Sequence, residues 1–266
     1  MNAIILAAGE GKRLRPLTKN NPKCMIKLFG KSLLEWQIKT FQSCNIYDIS
    51  VVTGYRSDSI KFPNITYFKN EKYATTNMVE TLFCAKEKLN DGVIVSYGDI
   101  IFEKQILENL IKSKDEISIV IDLNWKKYWK IRFDNPLEDA ESLILDENDY
   151  IKNIGQKVKN ADQIQGQYIG LMKFEKEGLE NLVNFYETIK KVSSDSKNPL
   201  NDYLPFGKSY MTDLLQGMIN NGFALKALKI EGNWLELDSI NDYEKYQKMY
   251  NDGTLKNLIS IPSFSE

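Results

Sequence analysis

The 266-residue chain contains no histidine. That excludes every mechanism needing imidazole as a base or metal ligand, including Ser-His-Asp hydrolysis and histidine-bound zinc. A site made of cations and carboxylate-held metal needs no imidazole. Cysteine is scarce: Cys24, Cys44 and Cys84 are scattered and form no C-x-x-C pair. They fit small buried or half-buried residues of a cytoplasmic protein better than a disulfide framework. No apolar run approaches the roughly 20 residues that cross a bilayer, and no signal-peptide pattern precedes the first strand. Neither charge dominates, with 35 basic against 36 acidic residues. Nothing therefore points to nucleic acid or to a membrane surface as partner. What remains is a chain of 42% hydrophobic residues, enough for one large α/β domain with insertions.

The most informative stretch is Ala3 to Lys23, AIILAAGEGKRLRPLTKNNPK. Ala3 to Ala8 has the length and residue types of a strand buried on both faces. Gly9-Glu10-Gly11 follows at once, then Lys12, Arg13 and Arg15, and Lys23 comes after Pro22. Glycines let backbone N–H groups turn towards an anion, and the cations add charge-assisted bonds to phosphate. A plain turn or a solvated basic loop has the same composition. The stretch lacks the third glycine of G-x-G-x-x-G and the G-K-[ST] ending of the P-loop.

Apolar spacing predicts a helix over Lys31–Ser43, with Ser32 as N-cap and Glu35 closing a capping box. Strands are expected at Ile49–Thr53, Ile65–Phe68, Val93–Tyr97 and Ile117–Leu123, and helices at Thr76–Leu89 and Ile106–Ile111. This alternation implies βαβ units and a mostly parallel sheet between helical layers. The second half is less regular. Trp125–Leu145 is aromatic, then acidic, and reads as an irregular insertion. Strands follow at Tyr168–Phe174, Phe223–Ile230 and Trp234–Asp238, with helices at Gly178–Lys191, Met211–Ile219 and Asn241–Tyr250. Ser193–Asn198 reads as a surface loop, and the last residues, about 259–266, as a tail.

Two carboxylates lie at strand ends far apart in sequence, Asp99 in SYGDI and Asp238 in WLELD. Ligands of open α/β sheets sit beyond the carboxyl ends of the strands. Such a pair suits magnesium shared with substrate phosphates, although a Gly-Asp pair is also an ordinary turn. Alternation places Glu236 on the same face as Asp238. Trp125, Tyr128, Trp129 and Phe133 cluster near Glu138, Asp139 and Glu141. Aromatic faces beside carboxylates bind ammonium groups, and the same aromatics at helical spacing also serve as core.

The string L-A-A-G-x-G-x-R-L-x-P-L-T-x-x-x-P-K, complete from Leu6 to Lys23, resembles the signature of nucleotidyltransferases that activate sugar phosphates and related small phosphates. The resemblance implies a Rossmann-like, three-layer α/β domain of the nucleotide-diphospho-sugar transferase type over 1–258. About 1–122 would form the nucleotide-binding half, and about 123–258 the half that binds acceptor and completes the metal site. Further stretches narrow the likeness to cytidylyltransferases acting on phosphocholine, phosphonates and other small phosphorylated groups. They are Asn77–Leu82, Asp122–Trp125, Asn135–Glu141, Ile164–Leu171 and Trp234–Asp238. By that resemblance Leu6, Ala7, Ala8, Gly9, Glu10, Gly11, Lys12 and Arg13 with Thr76 and Asn77 hold CTP. Arg13 and Lys23 act on the phosphates, and Asp99 and Asp238 bind Mg2+. Trp125, Tyr128, Trp129, Glu141 and Gln167 receive the acceptor. The implied reaction moves CMP onto a small amine-bearing acceptor of phosphocholine, aminoethylphosphonate or phosphoglutamine type, releasing pyrophosphate, for cell-surface or capsule polysaccharide modification. Two rivals remain: a sugar-1-phosphate nucleotidyltransferase using UTP or dTTP, and a silent nucleotide-binding subunit. The intact Arg13, Lys23, Asp99 and Asp238 speak against the second.

Overall fold

Strand β1 (Asn2–Ala7) is buried along its whole length. Its residues alternate between two cores. Ala3, Ile5 and Ala7 face one, while Ile4 and Leu6 face the other. A strand covered on both faces is apolar over most of its length, so Ala3 to Ala7 reads as an unbroken run, and the buried Asn2 at its start donates its amide to Lys88 O and Asn90 O. The computed structural model describes residues 1–193 and 197–261. A short pair, β2 (Lys27–Leu28) and β3 (Lys31–Ser32), leads into α1 (Leu33–Ser43). Ser32 Oγ accepts the Glu35 N–H at 3.1 Å. Glu35 lies 3.8 Å from Lys39 one turn on, so its carboxylate is drawn along the helix and only half of the expected capping box is seen.

Then come β4 (Ile49–Thr53), β5 (Ile65–Lys69), α2 (Met78–Phe83), β6 (Val93–Tyr97), β7 (Ile100–Phe102), α3 (Lys104–Lys112) and β8 (Ile117–Asp122). The helix expected over Thr76–Leu89 is shorter and gives way to a 3-10 turn at Lys86–Lys88. Val79, Thr81 and Leu82 are the buried residues of the α-helical part, and Ala85 precedes the 3-10 turn, which has no buried residue.

The stretch expected to be irregular is ordered. It comprises α4 (Trp125–Arg132), a 3-10 turn at Pro136–Glu138, and the antiparallel hairpin β9 (Glu141–Leu145) and β10 (Ile151–Lys157). The chain closes with β11 (Gln167–Phe174), α5 (Lys176–Ser193), α6 (Met211–Asn220), β12 (Lys226–Ile230), β13 (Trp234–Glu236) and α7 (Ile240–Asn251).

The seven strands of the main sheet run in the order β12-β8-β11-β6-β1-β4-β5. All neighbours are parallel except β11, which is antiparallel to both β6 and β8. Helices α1, α3, α4 and α7 contribute to one core, and α2, α5 and α6 to the other. From β1 the chain moves out to β4 and β5, then returns to β6 on the opposite side, which makes the β1–β6 edge a topological switch point.

Residues 194–196 of the expected loop and 262–266 of the expected tail lie outside the described residues. Ile259, placed in that tail by the sequence, is 2% exposed, and the Ser260 N–H donates to Glu103 at 2.7 Å. Among the described residues no helix is long and apolar enough to cross a membrane.

Candidate active site

The strand-end carboxylates, Lys23, Arg13 and the end of β1 come together at the β1–β6 edge. After β6, Gly98 donates its N–H to Leu6 O at 2.9 Å. A Cβ at Gly98 would lie 2.7 Å from that same oxygen, so only glycine lets the chain pass and deliver Asp99. The two-stranded sheet of β7 and β13 pairs Ile100 with Glu236, and Leu237 N–H donates to Asp99 O at 3.0 Å. Three-residue strands thus bring Asp99, Glu236 and Asp238 together, with one carboxylate oxygen from each lying within 4.8 Å of the others.

Two cations stand against this cluster. Lys23 Nζ lies 2.6 Å from Asp99 Oδ2 and 2.6 Å from Asp238 Oδ1. Arg13 contacts the other Asp238 oxygen, Oδ2. Gly11, in the left-handed region at φ 67°, packs on the Lys23 stem so closely that a Cβ would sit 2.9 Å from Lys23 Cβ. Burial disfavours the Lys23 charge, but Asp99, Asp238 and Glu236 outweigh it and raise its pKa. Burial also opposes ionisation of Asp238, and here Lys23 and Arg13 prevail, holding it below the usual carboxylate range. For Glu236 burial wins over Arg132, and with Asp238 and Asp99 nearby the carboxyl is pushed up to about 7.

The cluster lies where two clefts meet. One is lined by the β1 end from Leu6 to Gly9, with Lys23, Cys24, Tyr73, Thr76, Asn77 and Asp99. The other is lined by Arg13, Trp129, Asp139, Glu141, Gln167, Tyr210, Glu236 and Asp238. Met78 and Tyr97 belong to both walls. The second cleft is strongly acidic. Desolvation, then Asp139, Asp213 and Glu236, pushes Glu141 up to about 7. Asp139 is likewise raised by burial, against the pull of Arg132.

Residues 3–129 match the MobA-like NTP transferase domain family. CTP:phosphoglutamine cytidylyltransferase of Campylobacter jejuni is 42% identical over 256 residues, covering 92% of this chain and 98% of that protein. This chain belongs to the nucleotidyltransferase family, in its cytidylyltransferase branch. Choline-phosphate cytidylyltransferase of Streptococcus pneumoniae is 34% identical over 117 residues, 42% of this chain and 51% of that protein. Among solved structures, the CTP:phosphocholine cytidylyltransferase of S. pneumoniae shares the fold. Its TM-score is 0.70 at 23% identity, over 94% of this chain and 98% of that one.

The sequence-derived site residues of this nucleotidyltransferase are distributed unevenly. Leu6, Ala7, Ala8, Gly9, Thr76 and Asn77 line the first cleft. Glu10, Gly11 and Lys12 do not: Glu10 pairs with Arg15 and, at 3.6 Å, with Lys12, whose side chain is 76% exposed. Asn77 caps α2 by accepting the Met78 N–H at 2.9 Å. Of Trp125, Tyr128 and Trp129, Trp129 alone lines the second cleft, where its indole N–H donates to Asp139 at 3.1 Å, and it is 4% exposed in the same core as the other two. Trp125 and Tyr128 are 1% and 4% exposed and belong to the core. The spacing 125, 128, 129 turns one helical face inward, which is why they pack together. Gln167 lines the cleft, but its amide is engaged by protein, accepting the Glu141 N–H at 2.9 Å and donating to Glu141 O and Gly166 O. It holds β9 in place. Sequence reasoning missed Tyr97, Tyr168 and Tyr210 in the clefts, and left Glu236 out of the metal set. Strand alternation was the signal for Glu236.

Proposed function

We propose that the chain transfers CMP from CTP to phosphoglutamine or a closely similar small amine-bearing phosphorylated compound, releasing pyrophosphate. The observation that carries this reading is the acidic cluster with Lys23 and Arg13 at the junction of two clefts. It is supported by 42% identity to a CTP:phosphoglutamine cytidylyltransferase over nearly its full length. The first cleft takes CTP, with the Leu6–Gly9 backbone, Thr76 and Asn77 around it. The second takes the acceptor, whose amine faces Trp129, Asp139 and Glu141. Residues 1–258 act as one nucleotidyltransferase domain, divided near residue 122 between these two tasks. The setting is the cytoplasm, where Cys24, Cys44 and Cys84 stay as the free thiols they are here.

The cluster suits a divalent cation. Asp99 Oδ1 is buried without a hydrogen-bond partner, and an orphaned carboxylate oxygen needs compensation. Three carboxylates form an all-oxygen donor set, which favours a hard ion, here Mg2+. Bound there with the triphosphate, the ion supplies charge neutralisation to phosphate oxygens. The protein's own residues do the rest. Arg13, Lys12 and the loop amides hold the β- and γ-phosphates. Lys23, kept charged by its three carboxylate neighbours, moves from them to the α-phosphate. An acceptor phosphoryl oxygen then attacks the α-phosphorus in line as the bond to pyrophosphate breaks. Positioning and charge stabilisation suffice, without a covalent enzyme intermediate. The test is pyrophosphate release from CTP, UTP and dTTP against phosphoglutamine, phosphocholine, aminoethylphosphonate and glucose 1-phosphate. CTP with an amine-bearing acceptor is expected to be fastest; glucose 1-phosphate with UTP or dTTP outpacing it would sink the proposal.

A further inference from the structure

Helices α4 and α7 each turn an i, i+4 pair towards the segment 236–239, and none of these four residues was read from sequence as part of the metal site. From α4 come Tyr128 and Arg132, and from α7 come Asp242 and Tyr246. The Tyr128 hydroxyl accepts the Glu236 N–H at 2.8 Å, and the Tyr246 hydroxyl donates to Glu236 O at 3.0 Å. The two hydroxyls lie 2.6 Å apart. Both backbone polar groups of Glu236 are thereby held by side chains.

Arg132 is 2% exposed, and its guanidinium lies 5.0–5.6 Å from the Tyr128, Trp129 and Phe133 ring centres. It contacts Glu236 Oε2 through Nη1 and Asp242 Oδ1 through Nε at 3.2 Å. Asp242 Oδ2 accepts the N–H groups of Asp238 at 3.1 Å and Ser239 at 3.0 Å. One buried network therefore grips the Glu236 side chain, the Glu236 backbone and the Asp238 backbone. A buried arginine with two carboxylate partners is costly to desolvate, and a hydrophobic residue would pack there with less penalty. What the ion-pair network adds is a fixed direction for two carboxylates.

We propose that Tyr128, Arg132, Asp242 and Tyr246 are positioning residues that preassemble the metal-binding carboxylates Glu236 and Asp238. This rests on the reading that the acidic cluster binds a divalent cation. None of the four lines either cleft; they act through the ligands, as outer-shell partners of metal sites do.

The experiment measures Mn2+ affinity by electron paramagnetic resonance, in the presence of a non-hydrolysable CTP analogue, for wild type, Arg132→Lys, Asp242→Asn and Asp99→Asn. Arg132→Lys keeps the charge and loses the fork; Asp242→Asn keeps the shape and loses the charge. Both should fold, as judged by circular dichroism, and bind Mn2+ about 10–100-fold more weakly, the usual effect of losing an outer-shell partner. In turnover with Mg2+ each should lower kcat, with recovery as Mg2+ is raised, a rescue that a merely structural defect does not show. CTP-analogue binding in EDTA should stay unchanged. Folded variants with unchanged Mn2+ affinity would overturn the proposal, and so would loss of the fold in both, which would make the network purely structural. Asp99→Asn separates the two claims: if it too binds Mn2+ normally, the metal reading itself fails.

Discussion

Lys23→Met should do two opposite things, and the pair of effects is diagnostic. In the structure Lys23 engages one oxygen each of Asp99 and Asp238, and Arg13 holds the second Asp238 oxygen. A cation entering the cluster without nucleotide must displace the lysine. A hydrogen bond to a charged group contributes about 1.5–3 kcal/mol. The Lys23 side chain is only 12% exposed, so solvent screening weakens this little. Taking the lower figure for one of the two bonds, removal of the competitor should tighten Mn2+ binding in nucleotide-free protein by about tenfold. The raised pKa keeps Lys23 charged through neutral and moderately alkaline pH, so the competition should not relax across the working range. Methionine preserves most of the stem that packs on Gly11. With CTP and acceptor present the effect reverses. Loss of a preorganised cation at the reacting phosphate should slow single-turnover CMP transfer by about 10²–10³. Titration of the nucleotide-free protein with Mn2+ and rapid-quench single turnovers read the two arms. Mn2+ binding that is unchanged or weaker in a folded Lys23→Met protein would refute the competition.

Asp99→Asn and Asp238→Asn should each nearly abolish pyrophosphate release while circular dichroism stays native. Trp125→Ala should destabilise the protein by about 3–5 kcal/mol in urea unfolding, as large aromatic-to-alanine changes in cores do. Trp129→Phe should instead raise the acceptor KM and leave CTP binding alone, because it removes the indole bond to Asp139. Equal effects of Trp129→Phe on both substrates would contradict this. Glu236, pushed up to about 7, binds its proton more tightly folded than unfolded. Its contribution to stability is complete below the unfolded value near 4.5 and is lost as pH rises through about 7. The melting temperature of metal-free protein should fall over that interval, and less so in Glu236→Gln.

The alternating first half was legible because strands covered on both faces are mostly apolar, as β1, β4 and β8 are, with only Asn2, Ser50, Thr53, Ser118 and Asp122 as polar members. Strand direction carries no such mark, so nothing in Gln167–Phe174 announced that β11 runs against its neighbours. Asp99 and Asp238 were visible as strand-end carboxylates. Their meeting was expected from the family resemblance and not from any period, because it depends on two three-residue strands too short to show one. Arg132 was the hardest to see. In WKKYWKIR it resembles the solvated lysines around it, and the carboxylates that make its burial tolerable lie 104 and 110 residues downstream.

The pairing of β7 with β13 also limits how this enzyme can be cut and recombined. The match to the NTP transferase domain ends at residue 129, before Glu236 and Asp238. A fragment that stops there would keep Asp99, Lys23 and the first cleft wall, but only one of the three clustered carboxylates. A chimera that grafts another acceptor-binding half onto this nucleotide half must therefore import a strand matching Trp234–Glu236 in register with Ile100–Phe102. Substrate range and metal competence are inherited on the same piece of chain.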